Sequence, residues 1–224
     1  HGGLAPNPGQ GLAQLLATLY DTNGSIAVDG YYDAVRPPSA AEQQWAEAVP
    51  FDTAAYRAAT GCLPVGGRAN TSAAMRVGFL PSLDINGVFG GYQGPGMKTI
   101  IPAHATAKLS ARLVPDQDPE MCLALIERHL ECHVPPGLRL TIDERSAAGP
   151  GFRLDPESPL VAAARRALAP DGGPVQLRWE GASIPIVSTL AQAAGAAPLL
   201  VGFGLESDRV HAPNESFALD RFRQ

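Results

Sequence analysis

The sequence predicts an α/β protein in two parts, an α+β sandwich over residues 1–151 and a segment of α/β character over residues 152–224. Three observations predict it. Leucines recur at helical spacing behind capping residues, as at Leu12, Leu15, Leu16 and Leu19. Residues 83–88 and 107–114 alternate in polarity, the pattern of strands with one buried face. Beyond residue 152 helical stretches alternate with short apolar runs, which suits a parallel sheet with helices against it.

Along the chain, Asn7 with Pro8 reads as an N-cap followed by proline in the first turn, where the missing N–H costs nothing. The helix this opens is expected to run to about Tyr20. Asp21-Thr22-Asn23-Gly24 is a turn, residues 25–28 a short strand, and residues 29–38 a loop ending in Pro37-Pro38. Ser39 caps a second helix, and Glu42 completes a capping box. A short helix is expected over residues 52–59, then a glycine-rich connecting loop over 61–78. The two alternating strands follow, joined through the stretch from Gly90 to Pro102. Together with residues 138–142 they form an antiparallel sheet with helices on one face. Pro119 opens the helix that carries Leu123, Ile126 and Leu130.

In the second part, Pro159 starts a helix that Gly172-Gly173 ends. Residues 175–179 read as a strand, and residues 184–194 as a helix followed by Gly195. The unbroken apolar run Leu199-Leu200-Val201-Gly202-Phe203 reads as a strand buried on both faces.

The 224 residues, 45% hydrophobic and 17% charged, can build a sizeable core. The net charge is -5 with no Lys/Arg cluster, so nucleic acid is not an expected partner. No apolar run reaches the ~20 residues of a membrane helix, and no membrane partner is expected. Cys62, Cys122 and Cys132 form a sparse, odd set that suits a reducing compartment, with the cytoplasm as default. The chain opens on His1-Gly2-Gly3 with no initiator methionine or leader, so a fragment is expected.

Several residues could carry chemistry, each with a plainer alternative. His211, followed by Ala212-Pro213-Asn214-Glu215, stands just after the apolar run, where ligands gather at strand ends in α/β sheets. An imidazole there can bind zinc, although a lone loop histidine is ordinarily solvated. Gly181 and Ser183 lie before a helix, where backbone N–H groups can meet an anion; Ser183 can equally be only a cap. Without a G-x-S-x-G elbow, a serine hydrolase is disfavoured. Gly90–Gly96 with Lys98 and Thr99 lacks the Walker spacing and reads as a hairpin or bulge. His129 and His133 stand one turn apart near Cys132, with Cys122 upstream. Neither an H-E-x-x-H nor a C-x-x-C pattern accompanies them, so an ordinary helix end is expected. Arg112, within an alternating strand, is either an outward charge or a bidentate clamp for a carboxylate.

Five motifs occur in order: Gly2-Gly3 with Asn7-Pro8; Pro81-Ser82-Leu83-Asp84-Ile85-Asn86-Gly87; Lys98-Thr99-Ile100-Ile101-Pro102; Arg112-Leu113-Val114-Pro115-Asp116-Gln117; and Ser183-Ile184-Pro185 with His211-Ala212-Pro213-Asn214-Glu215. Together they resemble the co-catalytic di-zinc exopeptidases that include carnosinase-type dipeptidases, glutamate carboxypeptidase and aminoacylase. The resemblance implies a lid and dimerisation domain over residues 1–151, and over 152–224 the C-terminal segment of an α/β zinc-peptidase catalytic domain. It implies that His211 is a metal ligand and that Arg112 grips the substrate carboxylate. Thr99, Ser183 and Gly181 would contact substrate, with Asn214 and Glu215 in positioning roles.

The complete enzyme would hold two zinc ions, of whose ligands this chain carries one, and no catalytic residue is assigned here. The other ligands and the general-base glutamate belong upstream of residue 1. The lid His-Ser-Gly motif is missing, Ala182 replaces a glycine or serine, and Trp179 stands where arginine is common. The expected function is therefore part of a metallopeptidase, inactive alone, cleaving dipeptides, acyl-amino acids or related amides with a free carboxylate. The expected partner is a second copy bound through the lid. The alternative is a non-catalytic dimerisation or binding module.

Overall fold

The computed structural model describes residues 1–169, 175–181, 184, 186–210 and 212–221. The order is α1 (Pro8–Ala17), α2 (Ala40–Glu47), α3 (Thr53–Thr60), α4 (Ala73–Phe79), β1 (Ser82–Gly90), β2 (Ala105–Arg112), α5 (Pro119–Cys132), α6 (Pro159–Leu168) and α7 (Ile186–Ala194). A short 3-10 turn follows at Glu206–Asp208. No helix among the described residues is long and apolar enough to cross a membrane.

Local chemistry starts most of these helices. The Asn7 carboxamide accepts from the amides of Gly9 and Gln10, and Asp52, Ser72, Asp118 and Ser158 cap their helices in the same manner. At α2 the capping box is complete: Ser39 Oγ accepts from Glu42 N–H at 3.2 Å, and Glu42 Oε2 accepts from Ser39 N–H at 2.8 Å.

β1 and β2 pair antiparallel, with Ser82 opposite Arg112 and Gly90 opposite Ala105. The register shifts between Ile85 and Gly87, leaving Asn86 as an extra residue that bends the edge. On β2, Ala107, Leu109 and Ala111 turn toward the core, whereas Thr106, Lys108, Ser110 and Arg112 are exposed. The core side is covered by Leu15, Leu16 and Leu19 from the first helix and its exit. Cys122, Ile126 and Leu130 of α5, with Ile26, Val28, Tyr31 and Leu83, complete it. Each fully buried leucine or isoleucine contributes roughly 1.5–3 kcal/mol through apolar transfer. An α+β arrangement with helices on one face of an antiparallel sheet is therefore present.

Five expectations need correction. Residues 25–28 form no strand, and Ile26 makes only an isolated bridge to Tyr20. Residues 61–78 are not all loop, because Ser72 caps α4; the run Ala73-Ala74-Met75-Arg76 favours helix, and the surrounding glycines obscured it. Residues 138–141 and 175–179 alternate in burial, and Leu140 packs on the core, but Ile142 is exposed and neither expected strand joins a ladder among the described residues. Alternation reports one-sided burial, and a strand also needs a hydrogen-bonding neighbour. The run 199–203 is not a buried strand: Leu200 is 65% and Phe203 59% exposed, and no described strand flanks it. The helix stop expected at Gly172-Gly173 lies outside the described residues.

Candidate functional site

Strand alternation decides where Arg112 goes. It ends β2 on the exposed face of the sheet, sharing that face with Lys108 and Ser110. Across the register Ser82 stands opposite Arg112 and Asp84 opposite Ser110, and Ser82 Oγ donates to Asp84 Oδ2 at 2.9 Å. Lys108 Nζ lies 5.9 Å from the centre of the Phe89 ring. Among the described residues the Arg112 guanidinium has no carboxylate within ion-pair distance. It is thus an exposed, five-donor cation with room for a bidentate carboxylate.

Thr99 is exposed in the loop between β1 and β2. That loop is shaped by Tyr92, whose hydroxyl donates to Pro95 O at 2.9 Å and whose ring lies 5.8 Å from Lys98 Nζ. A cleft of about 580 Å³ opens beside the loop's end, lined by Gly2, Gly3, Asn7, Gln10, Ile101 and Gly137 among others. Neither Thr99 nor Arg112 lines it.

Gly181 sits against α4, with its N–H donating to Val77 O at 2.7 Å. Asn214 adopts a left-handed backbone conformation (φ 64°), which asparagine tolerates better than most residues, and Glu215 N–H closes the turn onto Ala212 O at 3.2 Å. Both side chains are exposed. The same turn is held from below, since Ser216 N–H donates to Asp208 O at 2.9 Å. Arg221 holds the Asp208 carboxylate through two contacts and keeps its pKa below the ordinary range. Ser183 and His211 lie outside the described residues. Arg112 and Thr99 belong to the sheet and its loop, Gly181 to the α4 contact and Asn214 with Glu215 to the last turn; neither the cleft beside Gly2 and Ile101 nor the one beside Phe152 and Gln192 is lined by any of them.

Among the described residues no three His, Cys, Asp or Glu side chains stand together so as to hold an ion. The nearest approach is His129 with His133, whose rings stack at 4.1 Å and 23°. Thr18 Oγ1 donates to Leu15 O at 2.7 Å, so it accepts from His129 Nε2, 2.9 Å away. His133 Nδ1 donates to His129 O at 2.7 Å. The remaining lone pairs lie in nearly parallel ring planes and do not converge on one point. Cys132 is exposed and Cys122 is in the core, where burial first and Asp118 second push its thiol pKa up. The described residues therefore do not fit a metal ion.

Sequence reasoning missed a buried cation. Arg153 Nε lies 3.0 Å from Glu42 Oε1, with both side chains almost fully buried. Its N–H does not point at the carboxylate, so the contact is an ion pair rather than a hydrogen bond. The other guanidinium nitrogens donate to the carbonyls of Arg36 and Pro37 at 3.4 and 3.3 Å. Nothing local to Arg153 signals this; of the pair, only Glu42 was visible, as the acidic member of a capping box.

Comparison with known proteins places this arrangement. The chain is 31% identical to the Cys-Gly metallodipeptidase DUG1 of Saccharomyces cerevisiae, over 99% of this chain and 47% of that protein. It is 27% identical to the human Beta-Ala-His dipeptidase, over 96% of this chain and 43% of that protein. The solved structure of the dipeptidase Dug1p from Saccharomyces cerevisiae superposes with a TM-score of 0.77 at 29% identity, covering 99% of this chain and 47% of that one. The chain spans about half the length of the curated relatives it matches. Residues 1–137 match the family described as the M20 peptidase dimerisation domain, and the chain belongs to that family.

Proposed function

We propose that this chain supplies the dimerisation part and the substrate-carboxylate grip of a metal-dependent dipeptidase. The observation that carries the reading is the likeness to Dug1p over 99% of the chain, at 29% identity. Residues 1–151 form the lid and dimer contact, and residues 152–224 belong to the catalytic domain. The assembly is a homodimer formed through the first part, working in the cytoplasm on dipeptides or acyl-amino acids with a free carboxylate.

The chemistry assigned to the described residues is binding and positioning, since no three of their donors stand together to hold an ion. Arg112, exposed beside Lys108 on the open sheet face, takes the terminal carboxylate through paired N–H donors. Thr99 offers a hydroxyl from the neighbouring loop, while Ser183, Gly181, Asn214 and Glu215 serve the substrate from the second part. In the complete enzyme His211 would be one ligand of a two-zinc centre, which would supply Lewis-acid polarisation of the scissile carbonyl and an activated water. With one ligand where a catalytic zinc takes about three, the chain alone does not turn over substrate.

A second reading, a dimerisation module without a catalytic role, is favoured by the family match, which falls wholly within residues 1–137. Titrating the chain with Cys-Gly, and with the same dipeptide amidated at its C-terminus, separates the two while following the Arg112 side-chain Nε–H by NMR. A shift with the free carboxylate alone supports the grip. Equal shifts for both ligands, or none, overturn it.

A further inference from the structure

The stretch Trp179–Gly181 lies on α4 through contacts that demand particular residues from both sides. Gly181 N–H donates to Val77 O at 2.7 Å, and a Cβ on Gly181 would stand 2.8 Å from that oxygen. A Cβ on Gly78 would stand 2.7 Å from Trp179 Cβ and 2.9 Å from Trp179 O. The obstructing atoms are backbone or next to it, so neither can move aside, and glycine is required for the approach at both positions. Above this seam the Trp179 ring packs on Phe79, centroids 5.4 Å apart at 36°.

Phe79 is itself held from behind. It is 1% exposed, and the Arg153 guanidinium carbon lies 5.3 Å from its ring centre. Arg153 is held in turn by Glu42 and by the carbonyls of Arg36 and Pro37. Glu42 is fixed because its second oxygen is committed to the Ser39 amide of the capping box. A continuous ladder therefore runs from the start of α2 through Arg153 and Phe79 to Trp179 and Gly181.

We propose that Arg153 is a positioning residue. Through Phe79 it sets the Trp179–Gly181 turn on α4, so that the dimerisation part of the chain holds the entry to the substrate segment that continues into Ser183. This rests on the reading of Gly181 and Ser183 as substrate-side residues and changes the part played by Gly181. Its N–H is committed to Val77 O, so Gly181 anchors the segment and offers the anion no donor. The anchor at Gly181 thus depends on a cation 28 residues earlier in sequence, by the difference of the two positions.

The test is hydrogen exchange on the full chain, read at the Gly181 amide and at the α5 amides of Ile126 and Leu130, alongside Trp179 emission in a Trp45→Phe background. Arg153→Met is expected to speed Gly181 exchange by about tenfold or more and shift Trp179 emission to the red, with α5 protection kept. Gly78→Ala, which pushes on Trp179 without touching Arg153, is expected to do the same and serves if Arg153→Met does not fold. Arg153→Lys, which keeps charge but not the flat fork, recovers only part of the protection. Unchanged Gly181 exchange in Arg153→Met overturns the proposal, whatever Gly78→Ala shows. So does a loss of protection spread evenly into α5, which marks general destabilisation. If Gly181 responds as described but Cys-Gly leaves the Arg112 signal unmoved, the ladder stands and the carboxylate grip falls.

Discussion

Gln117 and Tyr31, 86 positions apart, are tied by a hydrogen bond from Gln117 Nε2–H to Tyr31 O at 2.8 Å. The other end of the same carboxamide, Oε1, accepts from Val114 N–H at 3.0 Å. Gln117 is 1% exposed, so one side chain satisfies two buried backbone groups. It thereby fixes the turn after β2 to the loop that follows α1. That turn includes Asp116 at φ 76°, a left-handed conformation that the Gln117 contacts help to hold.

Gln117→Leu keeps the volume and removes both partners. Leaving two buried backbone groups unsatisfied is expected to cost about 3 kcal/mol. Urea denaturation reads this as a lower midpoint with an unchanged slope. A midpoint within experimental error of the parent would mean that water replaces the carboxamide and that the tie is dispensable.

Much of the helical part of this fold was legible from local chemistry. Asn7, Ser39, Asp118 and Ser158 are capping residues followed by apolar periodicity, and each opens a helix where the sequence places it. The strands divided by a different rule. Residues 107–114 could be read because β2 has both a partner and a buried face, whereas residues 138–141 and 175–179 have the burial pattern without the partner. Pairing is set by distant residues and leaves no local trace. The candidate site follows the same division. Exposure of Arg112 follows from strand alternation, but the Arg153–Glu42 pair joins residues from opposite sides of the proposed domain boundary.

Glu42→Gln separates the two duties of that side chain. Glutamine can still accept from the Ser39 amide, so the cap survives, while buried Arg153 loses its counter-charge. Burial already lowers the Arg153 pKa against the opposing pull of Glu42. The substitution is expected to cost about 3 kcal/mol, with part recovered in Glu42→Gln/Arg153→Met, where no unpaired charge remains. Additive losses in that double variant would show that the two groups are not coupled.

His129 gives a pH dependence of known sign. Burial first, and the neighbouring His133 second, hold its pKa below the ordinary value of about 6.5. The unfolded chain therefore takes up the proton more readily than the folded one. Stability is full above pH ~6.5, falls as pH drops from there, and stops falling below the folded pKa. His133→Ala removes the second cause and is expected to raise the His129 pKa toward the ordinary value, read from its ring-proton titration by NMR. A downward move would contradict the arrangement of the stacked pair.

Light scattering on the purified chain, coupled to size exclusion, tests the central claim most directly. The claim is that residues 1–151 form the contact between two copies of a dipeptidase subunit. The predicted result is a species of twice the 23.4 kDa chain mass that persists on dilution into the low micromolar range. A single species of 23.4 kDa at high protein concentration would contradict it.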